Sequence, residues 1–173
     1  MRKMMLVPLL LVSACSGGGE APKKEEAAAV EKLDAGQWEL TTEVTQFAKS
    51  DQGTPKIDTP VGTKETVSAC VAEADAAKPQ PMIFSGAKDE CTYGNYYMSS
   101  GRLSATVNCN RPGLSGNVAT NVDATFTAST IEGTLRTDTY LTTDGDVRIT
   151  RKLTGRRTGA QCTPEAAGKE KAA

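Results

Sequence analysis

Five cysteines and no histidine set the chemistry open to this chain of 173 residues. A thiol can be acylated, oxidised to a disulfide or deprotonated to bind metal, and its surroundings decide which. Cys15 stands alone near the start, directly after an apolar run, while Cys70, Cys91, Cys109 and Cys162 are spread through the remainder. Those four permit three disulfide connectivities, and no two of them have the C-x2-C spacing of a structural zinc site. The absence of histidine removes the commonest general base, the His-containing nucleophilic triads and His-ligated zinc. Ser99, Ser100 and Ser104 have no lysine partner in a recognisable motif and read as turn and outer-face residues. Asp144 and Asp146 fall short of the roughly six to eight oxygens that calcium takes, and no Gly-rich phosphate loop follows a strand. Neither an enzyme nor a bound cofactor or metal is expected.

The surroundings of Cys15 point to acylation. Arg2 and Lys3 precede an apolar run of 11 residues, Met4 to Ala14, that ends in Val12-Ser13-Ala14-Cys15. A spanning helix needs about 20 apolar residues, so the run matches the core of a cleaved signal peptide. The arrangement resembles the signal peptide and lipobox of a bacterial lipoprotein. That resemblance implies cleavage after Ala14, lipid attachment to Cys15 and anchoring by acyl chains such as palmitate, more than one of which gives stable attachment. With Ser16 rather than Asp in the next position, it implies the periplasmic face of the outer membrane rather than the inner membrane.

Removal of residues 1–14 takes away two basic residues and no acid, leaving 18 basic against 21 acidic side chains, a formal charge of −3. That balance offers no electrostatic case for nucleic acid. Arg148, Arg151, Lys152, Arg156 and Arg157 cluster locally, with Thr and Gly between them, and read as a solvated strand face. Residues 15–34 form the lipidated Cys and a flexible spacer: Gly17-Gly18-Gly19, Pro22, then an Ala/Glu/Lys-rich segment in which only Val30 and Leu33 could pack. The polar segment 163–173 reads as a disordered tail. The folded unit is expected over residues 35–162, a single domain.

Period-two alternation dominates that unit. Val118, Thr120, Val122, Ala124 and Phe126 share one face, followed by Ile131, Gly133, Leu135, Thr137, Thr139 and Leu141, and then by Val147, Ile149 and Leu153 beyond the Asp144-Gly145 turn. Trp38, Leu40 and Val44 alternate in the first strand, and Val67, Ala69 and Val71 in the second. The expected fold is mainly β: one antiparallel meander, strongly curved or partly closed as a barrel, with one short helix over residues 70–78 stopped by Pro79 and Pro81. Met82, Ile83 and Phe84 in the next loop read as core filler or as an apolar lid over one end of the sheet. Trp38 reads as a core anchor.

Hairpin geometry chooses among the disulfides. With a turn centred on Ser100 in Ser99-Ser100-Gly101, Cys91 on one strand faces Cys109 on the next, and alternation groups Cys91 with Tyr93 and Tyr97 opposite Leu103, Ala105 and Val107. Cys70 and Cys162 are left to pair. In the chain-entropy model the two crosslinks contribute roughly 3 and roughly 4.6 kcal/mol.

Gly36-Gln37-Trp38-Glu39, the acidic turn in Cys70-Val71-Ala72-Glu73-Ala74-Asp75, a Cys pair on adjoining strands and the ending Arg157-Thr158-Gly159-Ala160-Gln161-Cys162 together resemble the bacterial domain-of-unknown-function family 3617. The family usually ends Gly-x-Cys, whereas two residues separate Gly159 from Cys162 here. The resemblance implies a small exported protein, often a lipoprotein, with no established activity and no catalytic residues to carry over. The expected function is that of a non-catalytic, lipid-anchored envelope domain that binds a protein partner or has a structural role. The alternative is a carrier of an apolar or amphiphilic ligand on the concave face of the sheet, with Trp38, Met82, Ile83 and Phe84 as its candidate contacts.

Overall fold

The structure, a computed structural model, describes residues 30–86 and 89–162. The signal segment, Cys15, the spacer up to residue 29 and the tail 163–173 lie outside the described residues. Among the described residues side-chain alternation builds seven strands: β1 (Gly36–Lys49), β2 (Lys64–Val71), β3 (Glu90–Ser99), β4 (Arg102–Asn110), β5 (Gly116–Phe126), β6 (Thr130–Leu141) and β7 (Val147–Gly159). The cause is plainest in β5, where Val118, Thr120, Val122, Ala124 and Phe126 are all buried while Asn121, Asp123 and Thr125 between them are exposed.

The strands make one antiparallel sheet in the order β2-β1-β7-β6-β5-β4-β3, curled into a half-barrel. Five of its six pairings join strands consecutive in sequence, and the exception joins β1 to β7. That exception leaves β2 and β3 as the two edges, so the chain between them must pass from one edge to the other. It carries Ile83 and Phe84, both buried in the core, with it.

Part of this connection was expected as a short helix over residues 70–78. Instead Cys70 and Val71 complete β2, and two 3-10 turns follow, Glu73–Asp75 and Pro81–Phe84. Neither turn has a side-chain N-cap, and Pro79 and Pro81 leave too few residues to repay helix nucleation.

Among the described residues the core divides in two. The larger cluster holds Trp38, Leu40, Leu103, Val122, Leu135 and Leu153 among others, and the smaller one holds Val44, Val147 and Ile149 with Phe47 and Ile57 against them. The spacer was expected to continue to Asp34, but its end is docked on the domain: Leu33 is 2% exposed, its N–H donates to the Ala76 carbonyl at 3.0 Å, and the Asp34 N–H donates to the Ala128 carbonyl at 2.7 Å. Val30 and Leu33 supply the apolar contact that holds this segment in place.

Cys91 bonds to Cys109 with Cα atoms 4.1 Å apart, and Cys70 to Cys162 with Cα atoms 5.4 Å apart, across a sequence separation of 92. The route to the Cys91 register differs from the expected one. The turn has two residues, Ser100 and Gly101, both at positive φ (52° and 73°), so Ser99 rather than Met98 lies opposite Arg102. Such a primed turn matches the strand twist, but continued along the hairpin it would set Cys91 against Asn110. A register shift between Tyr93 and Asn95, at Gly94, takes up the extra residue and returns Cys91 to Cys109. The same bulge inverts the side chains beyond it. Tyr96 and Met98 therefore pack on the core, and Tyr97, expected inward, is 56% exposed.

Gly133 lies on the inner face of β6, opposite Ala124, where an added Cβ would run into the backbone of Asp123 and Ala124. Gly133→Ala should lower stability by about 1–3 kcal/mol through this overpacking, measured as a fall in the denaturant midpoint with an unchanged slope.

Candidate functional site

Along β7 the inward positions run Val147, Ile149, Arg151, Leu153, so a charged side chain interrupts an otherwise apolar row. Arg151 lies opposite Val44 of β1 on one side and Leu135 of β6 on the other. It faces a cavity of about 930 Å3 within the curl of the sheet, lined by Leu40 and Leu135 from the larger cluster and Val44 from the smaller, and closed in part by Ile83 and Phe84. A volume of this size is in the range of small-molecule sites.

A polar strip crosses the wall. Arg151 Nη1 donates to Thr137 Oγ1 at 3.3 Å, and the buried hydroxyls of Thr137 and Thr120 share a hydrogen bond of 2.9 Å. Burial, and then the neighbouring Arg111, pull the Arg151 guanidinium below its ordinary value, while Glu65 opposes them. A second guanidinium lines the same cavity under different constraint. Arg111 Nη2 lies 2.7 Å from Asp89 Oδ2, and Arg111 Nε lies 3.1 Å from both carboxylate oxygens of that largely buried side chain. Among the described residues Arg111 has a carboxylate partner within 4 Å and Arg151 has none.

The sequence model of a family described as a protein of unknown function, DUF3617, matches residues 33–162. The chain belongs to the DUF3617 family. No curated protein and no solved structure matches it. The family match starts at Leu33, the buried residue that pins the incoming segment to this DUF3617 domain.

The cavity takes up some of the sequence-derived candidates and leaves others out. Ile83 and Phe84 form part of its wall. Met82 is half-buried beside them but does not line it, and Trp38, 1% exposed, is sealed in the larger cluster with its Nε1–H donating to the Asp34 carbonyl at 3.0 Å. The arginine cluster, expected as one solvated face, is split by strand parity. Arg148 and Arg156 stay on the outer face, pairing with Asp138 at 2.6 Å and Glu39 at 2.9 Å, whereas Arg151 turns inward. Counting by twos from Val147 carries the signal that would have found it. Arg111 and Asp89 meet through segments outside the regular strands, and strand periodicity says nothing of them. Asp89, Cys91 and Cys109 also gather their ligand atoms within 4.8 Å, but the two sulfurs are joined to each other and the carboxylate holds Arg111.

Tyrosines of β3 hold down the connection that covers the cavity. Tyr93 Oη donates to the Pro79 carbonyl at 2.7 Å and Tyr96 Oη to the Ala77 carbonyl at 2.9 Å, with Lys78 Nζ 5.6 and 5.8 Å from the two ring centroids. Burial raises both phenols above their ordinary value of 10.0, and for Tyr93 the neighbouring Tyr96 adds to the rise. Above that value the unfolded chain loses phenolic protons that the native state keeps. The contribution to stability is therefore complete below about pH 10 and is lost as pH rises past it. Denaturant midpoints measured from about pH 9 to about pH 11 should fall, and replacing both Tyr93 and Tyr96 by Phe should flatten that fall.

Proposed function

We propose that this DUF3617 protein is a non-catalytic carrier, exported and anchored through lipid on Cys15 to the periplasmic face of the outer membrane, that holds an amphiphilic ligand in the half-barrel cavity. The observation that carries the reading is the cavity itself: about 930 Å3, bounded by both apolar clusters and crossed by a polar strip. A domain with a purely structural role would gain by filling that space with side chains, since unfilled volume forfeits packing energy. The lack of histidine supports the non-catalytic part. A carrier also hands its cargo on, so an envelope protein partner belongs to the same proposal. Cys15 lies outside the described residues, and its part rests on the lipobox-like sequence.

Native mass spectrometry of the full chain, gently extracted from membranes, should show a co-purifying amphiphile. Repeated preparations without one would overturn the carrier reading. Replacing Cys15 by Ala should leave uncleaved precursor or move the protein out of the membrane fraction, and unchanged processing and fractionation would overturn the anchor.

A further inference from the structure

The cation inside the cavity narrows what the ligand can be. Any ligand that fills the space displaces water from the Arg151 guanidinium, which has one hydrogen bond, to Thr137 Oγ1, and no carboxylate within 4 Å among the described residues. A wholly apolar occupant would leave that charge dry, offset only by the Glu65 carboxylate more than 4 Å away, a heavy penalty. An occupant with an anionic oxygen head removes the penalty and gains a charge-assisted hydrogen bond. The other charges on the wall set limits on the head. Arg111 is committed to Asp89, so its positive charge is largely balanced locally. Glu65, exposed on the inner side of the edge strand β2, also lines the cavity and has no ion-pair partner among the described residues. Its carboxylate weighs against a head of two negative charges more than against a head of one. The apolar part of the wall combines the buried Leu40, Val44, Ile83, Phe84 and Leu135 with the half-buried Val67 and the exposed Pro112, and these last two supply the open surface that a hydrocarbon chain would cover.

Resting on the carrier reading above, we infer that the ligand is a single-chain amphiphile with a monoanionic head, its oxygens on Arg151 and its chain along the apolar wall. The probe is decanoate, compared with decanol of equal chain length and with acetate as the head alone. Each is measured by equilibrium dialysis against the mature chain, residues 15–173, carrying Cys15→Ala, so that neither an acyl group nor the apolar leader Met4–Ala14 competes.

Decanoate should bind roughly tenfold or more tightly than decanol, in line with one hydrogen bond between charged groups, and acetate should bind far more weakly than either. Arg151→Gln should bring decanoate to the level of decanol. Glu65→Gln should strengthen decanoate binding roughly twofold to threefold by removing a like charge and leave decanol unaffected, which keeps the inference testable if Arg151→Gln does not fold. Equal affinities for decanoate and decanol, or decanoate binding indifferent to Glu65→Gln, would overturn the anionic head while the carrier reading stands. Acetate binding as tightly as decanoate would overturn the hydrocarbon chain. Failure of decanoate and decanol alike would take the carrier reading down with it.

Discussion

The pairing of β1 with β7 brings together parts of the chain as far apart as Glu39 and Arg156, separated by 117 positions and joined across the strands by an ion pair. The geometry of the interior follows from that pairing. It places β1, with β2 beyond it, after β7 and leaves β3 at the opposite edge. The natural twist of the strands then curls the sheet, and the chain between β2 and β3 has to pass from edge to edge. Closing so long a loop is entropically costly. The Cys70–Cys162 disulfide offsets part of that cost by tying the end of β2 to the segment just after β7.

The interior is correspondingly uneven. Where β4, β5 and β6 face the start of β1 and the 3-10 turn of Ile83 and Phe84, aliphatic and aromatic side chains close up into one cluster. Farther along, Val44, Val147 and Ile149 form a second. Thr120, Thr137 and Arg151 occupy inward positions that continuous packing would have given to Val or Leu. The two threonines satisfy each other, which makes their burial tolerable. Arg151 is satisfied only in part, and a sequence that keeps such a residue on a core-facing position breaks a local rule, as functional sites commonly do. Arg111 provides the contrast, because its forked contact with Asp89 is what a structural guanidinium in this setting looks like.

Particular residues show how far the sequence could be read. The inward rows of β5 and β6, and the inward Val147, Ile149 and Leu153 of β7, lie where alternation placed them, because a residue's face in a strand depends only on parity. Parity fails wherever a residue is inserted. Gly94 adds one to β3, and Tyr97 consequently points to solvent while Tyr96 and Met98 pack inward. The segment from Ala72 to Phe84 has helix-forming alanines, yet two prolines and its task of crossing between the sheet edges turn it into 3-10 turns. Val30 and Leu33 were too sparse to mark an amphipathic element, but two apolar side chains suffice when a finished surface is there to receive them.

The chain's own order of residues determined its strands, the faces of most of them and the hairpins between neighbours, since those depend on contacts a few positions apart. It also carried the family resemblance, through residues at both ends of the domain. The tertiary structure decided which distant strands would pair, where the concave side would lie and what would line it. Arg151 belongs to both accounts. Its parity was legible in β7, but an inward arginine is only a misplaced charge until β1, β6 and the crossing segment surround it with a cavity. An electrostatic environment is set by every element that faces a group, and those elements come from all along the chain.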